Sequence, residues 1–86
     1  MNNAEIRSLV EKGSVIIGHN AVHKAIVSGA VQRVLIASNA ESELVTDIQH
    51  LCSLGSIDCD VLDLRNDQLG VACRKPFQIS FLAVKK

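Results

Sequence analysis

Along its 86 residues the chain switches repeatedly between two hydrophobic spacings, and this switching constrains its fold more than any other feature. Ile6, Leu9 and Val10 sit at i, i+3 and i+4, the stripe of a short amphipathic helix that Gly13 closes. Ser14–Ile17 (SVII) is short and β-branched, a strand. Val22, Ala25 and Ile26 return to helical spacing, and Gly29 ends that helix. Val34–Ala37 (VLIA) is continuously apolar, as a strand covered on both faces requires. Past Asn39, the acids Glu41 and Glu43 suit the first turn of a helix whose stripe is Leu44, Ile48, Leu51 and Cys52 and whose end is Gly55. Cys59–Leu64 (CDVLDL) mixes apolar residues with Asp60 and Asp63, a strand near an edge. Asn66 or Asp67 can cap a short helix carrying Leu69, Ala72 and Cys73, with Arg74 and Lys75 in its last turn and Pro76 as its stop. Phe77–Val84 (FQISFLAV) is the last strand, with Phe77, Ile79 and Phe81 on one face.

The order is α-β-α-β-α-β-α-β with short connections. Strands alternating with helices place helices on both faces of a parallel or mixed sheet. The expected fold is therefore α/β: a three-layer α/β/α sandwich around a four-stranded mixed sheet. A chain of this length holds one domain, spanning residues 1–86, with one modest core.

Composition narrows the function. Nine basic residues balance nine acidic ones, so no overall field draws the protein to nucleic acid or a membrane, and such binding must come from a local patch. With no Trp, no Tyr and only Phe77 and Phe81, the core must be aliphatic. A multi-ring stacking platform for single-stranded nucleic acid is excluded. Cys52, Cys59 and Cys73 form no CxxC pair and read as reduced, mostly buried small hydrophobes. No apolar run approaches the roughly 18 residues of a membrane span, and the polar N-terminus (MNNAEIRSLVEK) lacks a signal core. A soluble, cytoplasmic protein is expected.

Two segments carry candidate chemistry. In Gly18-His19-Asn20, between a strand and a helix, glycine permits a tight turn and the helix start offers free N–H groups to an anion. Asn20 and Lys24 share one helical face, an amide beside an ammonium, suited to reading base edges while neutralising phosphate. The plainer alternative makes Asn20 a helix cap and Lys24 a solvated charge. The turn Arg74-Lys75-Pro76-Phe77 offers two cations, a rigid proline and a ring, able to grip an RNA backbone and pack on a splayed base. Its plainer alternative is dipole complementarity and a helix stop, with Phe77 in the core. Arg33 could border the same surface, though a lone arginine there is usually just solvated.

His19 and His23 have the i, i+4 spacing of helical metal ligands, but zinc needs a third and usually a fourth. No Cys or acid lies nearby in sequence, so completion would require Cys73 or His50 in space, and no metal or other cofactor is expected. The chain has no GxxxxGK[ST], GxGxxG, GxSxG or HExxH motif and no obvious carboxylate pair. An enzyme is not expected.

Three stretches carry a resemblance: Gly13–Ala25 (GSVIIGHNAVHKA), Gly29–Ala40 (GAVQRVLIASNA) and Leu69–Val84 (LGVACRKPFQISFLAV). In residues, order and spacing they resemble the large-subunit ribosomal proteins of the L-thirty-e type, within the wider L-seven-Ae superfamily of kink-turn RNA binders. The resemblance covers nearly the whole chain and implies the same α/β/α sandwich. It also implies binding to a kink-turn, a bent helix–internal loop–helix element with tandem sheared G·A pairs, here in ribosomal RNA. Gly18, His19 and Asn20 would then lie at the helix start that enters the groove at those pairs, with Asn20 on guanine edges. Lys24 would contact bases or phosphates from the next turn, and Arg33 matches a position commonly basic in the family. Arg74, Lys75, Pro76 and Phe77 would lie over the unstacked nucleotides. Implied partners are RNA and other ribosomal proteins, for a protein that is monomeric when free and ribosome-associated in the cytoplasm. Three residues depart from the pattern: Ala21 stands where the L-seven-Ae type usually has Glu, Asn20 stands where the L-thirty-e type often has Lys, and Arg74 stands where a Gly is usual. Two other readings share this fold: a stand-alone kink-turn protein of guide or regulatory RNAs, and a protein-interaction module.

Overall fold

The structure, a computed structural model, describes residues 3–86. Its elements run α1 (Asn3–Glu11), β1 (Val15–Ile17), α2 (His19–Val27), β2 (Val31–Ile36), α3 (Ser42–Leu54), β3 (Asp58–Val61), α4 (Asn66–Ala72) and β4 (Phe81–Lys85). The eight elements and their order are those the spacing predicts. The strands form one mixed sheet in the order β1-β4-β2-β3. β4 runs antiparallel to both β1 and β2, while β2 and β3 are parallel and joined through α3.

Strand alternation divides the core into two layers, because successive side chains point to opposite faces of the sheet. Val34, Ile36, Phe81 and Ala83 face α2 and α3, meeting Val22, Ala25, Ile26, Ile48 and Cys52. Leu35, Ala37, Ile79 and Leu82 face α1 and α4, meeting Ile6, Leu69, Ala72 and Cys73. The α/β/α sandwich follows directly. Val31 joins the α2/α3 layer despite its odd position, since the ladder is irregular between Val31 and Arg33 and a bulge there reverses the alternation.

Cys52 and Cys73 lie within these layers and Cys59 is half-buried, all as free thiols. Burial raises all three pKa values; that of Cys59 is pushed from 9.0 to about 12, with the adjacent Cys52 and Asp60 adding to the effect. They behave as small hydrophobes rather than as nucleophiles.

Several boundaries differ from the sequence reading. β4 begins at Phe81, not Phe77, and Phe77 is 54% exposed. Ile79 and Phe81 occupy opposite layers, so they do not share a face with Phe77. α4 ends at Ala72, leaving Arg74 and Lys75 just beyond its last turn rather than within it. β2 begins at Val31, which puts Arg33 inside the strand, and β3 stops at Val61. The start of α4 is secured differently too. Neither Asn66 nor Asp67 caps it; the Gln68 side chain accepts the Arg65 N–H at 2.9 Å, and Asn39 Oδ1 accepts the Asn66 N–H at 2.7 Å.

Candidate functional site

β1, β2 and β3 end at the same edge of the sheet where β4 begins, and in open α/β sheets such a carboxyl-terminal edge is where chain crossings leave a crevice. Two segments meet there.

The first is the start of α2. Gly18 follows β1 and occupies the helix N-cap at φ 101°, ψ 146°, a backbone region open essentially to glycine alone. Its N–H donates to the Phe81 carbonyl at 3.0 Å and its own carbonyl accepts the Val22 N–H at 2.9 Å, so the turn ties α2 to the start of β4. Among the described residues no side chain caps this helix, which leaves its first-turn N–H groups without a side-chain partner there. Asn20 is the second helical residue, not the cap, and is exposed with Lys24 one turn on. Both lie away from the buried stripe of Val22, Ala25 and Ile26. Neither makes a side-chain hydrogen bond or ion pair with the described residues.

His19, the first residue of α2, turns inward. Its ring meets Phe81 edge-on with centroids 5.3 Å apart. Its Nε2 is shielded from solvent without a hydrogen-bond partner among the described residues, 3.7 Å from Asp47 Oδ2 on α3. The His23 ring lies 6.3 Å away. Among the described residues no group of three or more His, Cys, Asp or Glu converges as metal ligands. Cys73 lies in the other core layer.

The second segment is the turn between α4 and β4. The Arg74 N–H donates to Val71 O at 2.9 Å and the Lys75 N–H to Gly70 O at 3.0 Å, the paired bonds of a Schellman motif with Arg74 at its left-handed position, φ 57°. Arg74 thus adopts the angle for which glycine is usual. Its guanidinium reaches Glu11 at the end of α1, Nη2 to Oε1 3.6 Å. Lys75 is exposed and makes no ion pair among the described residues.

Between the two segments lies a groove of about 590 Å³. Gly18 and His19 form one wall, Lys75, Phe77 and Gln78 the other, and Ile17, Ile79 and Phe81 its apolar floor. Two candidate segments more than fifty residues apart in sequence are therefore the two walls of one groove. Pro76 lines an adjoining hollow with Val71 and Phe77, and Asn20 and Lys24 stand on the exposed face of α2 beyond the other wall.

Arg33 does not share this surface. It lies three residues back from Ile36, roughly 10 Å along β2 from the strand end. There it lines a separate hollow with Leu9 of α1 and pairs with Asp60 of β3, Nε to Oδ2 3.2 Å. Residues the sequence reading did not assign to the site are Phe81, which it placed only in the last strand, and Gln78, Ser80 and Gly70. Only Gly70 carried a visible signal: a glycine inside a helical stripe, which costs stability unless something packs against it.

Three comparisons bear on this arrangement. Residues 2–86 match the model of the ribosomal protein L7Ae/L30e/S12e/Gadd45 family. Large ribosomal subunit protein eL30 of Saccharolobus solfataricus is 34% identical over 80 residues, covering 93% of this chain and 74% of that protein. The eL30 of Methanoregula boonei is 34% identical over 82 residues, covering 95% and 81%. A 15.5 kD RNA binding protein of Giardia lamblia superposes with a TM-score of 0.86 at 20% identity, covering 94% of this chain and 68% of that one; at that identity the likeness shows the fold alone. On the family match and the eL30 identities together, this chain belongs to the ribosomal protein L7Ae/L30e/S12e/Gadd45 family.

Proposed function

We propose that the chain is a structured-RNA-binding protein of the large ribosomal subunit that holds a kink-turn or a comparably bent internal loop. The observation that carries this reading is the groove: it joins the uncapped α2 start to the Lys75–Phe77 turn at one edge of the sheet. Asn20 reads base edges, and a good bidentate contact of that kind is worth about 1–3 kcal/mol of discrimination. Phe77, 54% exposed, offers a face on which an unstacked base packs.

Lys24 and Lys75 supply a modest salt-dependent attraction, consistent with zero net charge. Arg74 joins them at little cost, because its pairing with Glu11 is between groups 67% and 60% exposed, and surface pairs of this kind contribute at most about 1 kcal/mol. Arg33, which lines a separate hollow, is not counted among these contacts. The mechanism is binding: contacts available only to the bent RNA shift its population toward that form. No catalytic step is proposed. The name eL30 places the matched relatives in the large ribosomal subunit, which is the support for a ribosome-associated, cytoplasmic role.

The deciding experiment is titration against a kink-turn RNA at near-physiological salt, with the same RNA carrying Watson–Crick pairs in place of its sheared G·A pairs as control. Binding at least tenfold weaker to the control is the expected result. Equal weak binding to both would remove the reading. Co-sedimentation with ribosomes separates the ribosomal role from a stand-alone protein of guide or regulatory RNAs.

A further inference from the structure

Glycine inside a helix weakens it relative to alanine, yet Gly70 stands in the last turn of α4 and is buried. A Cβ there would run into the Phe77 carbonyl oxygen and come within 3.2 Å of its carbon. The obstacle is backbone, which cannot swing aside as a flexible side chain does. Residues 73–80 therefore lie directly on α4. They are pinned at both ends: the Gly70 carbonyl accepts the Lys75 N–H at 3.0 Å, and the Asn66 carbonyl accepts the Ile79 N–H at 3.0 Å.

Asn66 is itself clasped by Asn39 from the β2–α3 loop. Asn39 Oδ1 accepts the Asn66 N–H at 2.7 Å, and Asn39 Nδ2 donates to Asn66 Oδ1 at 3.2 Å. One step further, the Ala37 N–H donates to Ser80 O at 2.9 Å. Because Lys75, Phe77, Gln78 and Ser80 all line the groove, anything that lifts this segment off α4 alters the groove opposite Gly18.

We propose that Gly70 and the Asn39–Asn66 clasp are positioning residues of the RNA site. Gly70 supplies the seat for residues 73–80, the clasp holds the helix end that anchors Ile79, and together they set the groove against the α2 start. The functional consequence rests on the RNA-binding reading; the seating does not.

The test is Gly70→Ala, with Leu54→Ala, an exposed residue at the end of α3, as control. In Gly70→Ala, hydrogen exchange at the Lys75 and Ile79 amides should accelerate at least about tenfold while Val34 and Leu82 keep their protection. Discrimination between the kink-turn RNA and its Watson–Crick control should fall about tenfold, with affinity for the control RNA unchanged. Leu54→Ala should alter neither readout. Should Gly70→Ala not fold, Asn39→Ala carries the same readouts, and Asn39→Asp, which keeps an acceptor for the Asn66 N–H, should restore most of the loss. Accelerated exchange with discrimination intact would overturn the proposal, as would exchange left unchanged. A wild-type protein that does not discriminate would instead remove the RNA reading, with the exchange rates still deciding whether Gly70 seats the segment.

Discussion

At the α2 wall of the groove, glycine answers to a backbone angle. Gly18 stands at φ 101°, and beyond its immediate chain neighbours no atom of the described residues lies within 4 Å of where its Cβ would be. At the α4 wall, glycine answers to space, for Gly70 sits within a helix and its missing Cβ is occupied by the Phe77 carbonyl. Beside it, Arg74 takes a left-handed angle with its side chain retained, φ 57°. One residue type thus serves two physical demands a groove's width apart, while one such demand is met without it. The lesson is that a glycine marks a constraint without saying which one, and the two constraints respond differently to substitution. An angle penalises the Cβ and any branch on it, whatever the side chain's length; a crowded seat penalises volume.

The largest effect should come from removing what the walls share. Phe81 is 1% exposed, its carbonyl holds the Gly18 N–H and its ring meets His19. Phe81→Ala should cost about 3–5 kcal/mol in urea unfolding, a large fraction of the roughly 5–15 kcal/mol typical of a domain. A loss below 1 kcal/mol would show that the ring is not what holds the walls together, leaving that role to the Gly18–Phe81 backbone bond, which the substitution keeps.

Gly18→Ala and Gly18→Leu, neither branched at Cβ, come next, each expected to cost about 1–3 kcal/mol and to differ little from one another, because the penalty is angular. Gly70→Ser, by contrast, should be worse than Gly70→Ala. A strong size dependence at position 18 would break the comparison.

Binding variants sharpen it from the ligand's side. Asn20→Ala should weaken binding to the kink-turn RNA by about 1–3 kcal/mol and leave the control RNA unaffected. Lys75→Ala should weaken both and flatten the salt dependence by about one unit of log–log slope. Equal loss toward both RNAs from Asn20→Ala would place no base contact at the α2 wall.

The smallest effect is expected at Arg74. Arg74→Gly relieves a left-handed angle worth about 1–2 kcal/mol, offset by about 0.4–1 kcal/mol of added unfolded-chain freedom and by loss of a weak ion pair. A gain between zero and about 1 kcal/mol in thermal unfolding is the expected outcome. A loss would mean the Glu11 contact outweighs the angle.

Much of the site was legible as two separate segments. Gly18-His19-Asn20 sits between a β-branched run and a helical stripe, and the RKPF turn follows a helix, so local pattern placed both at element ends. Their roles were less legible. Phe77 had a plausible place in the core, and Arg33 at the mouth of a strand looked able to reach the same surface. Both readings depended on where the strands begin, and boundaries shift with contacts that periodicity does not record. Residues 77–80 read as strand because they alternate. They are instead drawn onto α4, Ile79 by the Asn66 carbonyl and the preceding Lys75 by the Gly70 carbonyl, and ladder pairing starts only at Phe81.

The order of helices and strands, and the faces by which the helices pack, were determined by the sequence itself. Hydrophobic period is a local property, and burial demands that each apolar stripe find a partner. The sheet order β1-β4-β2-β3 was decided only in the tertiary structure, where the last strand inserts between the first two in antiparallel pairing. That insertion sends Ile79 and Phe81 to opposite layers, carries Phe77 out to the surface and closes the groove against Gly18. Strand pairing joins residues tens of positions apart and depends on which arrangement buries the most apolar surface at once, a quantity no local window contains.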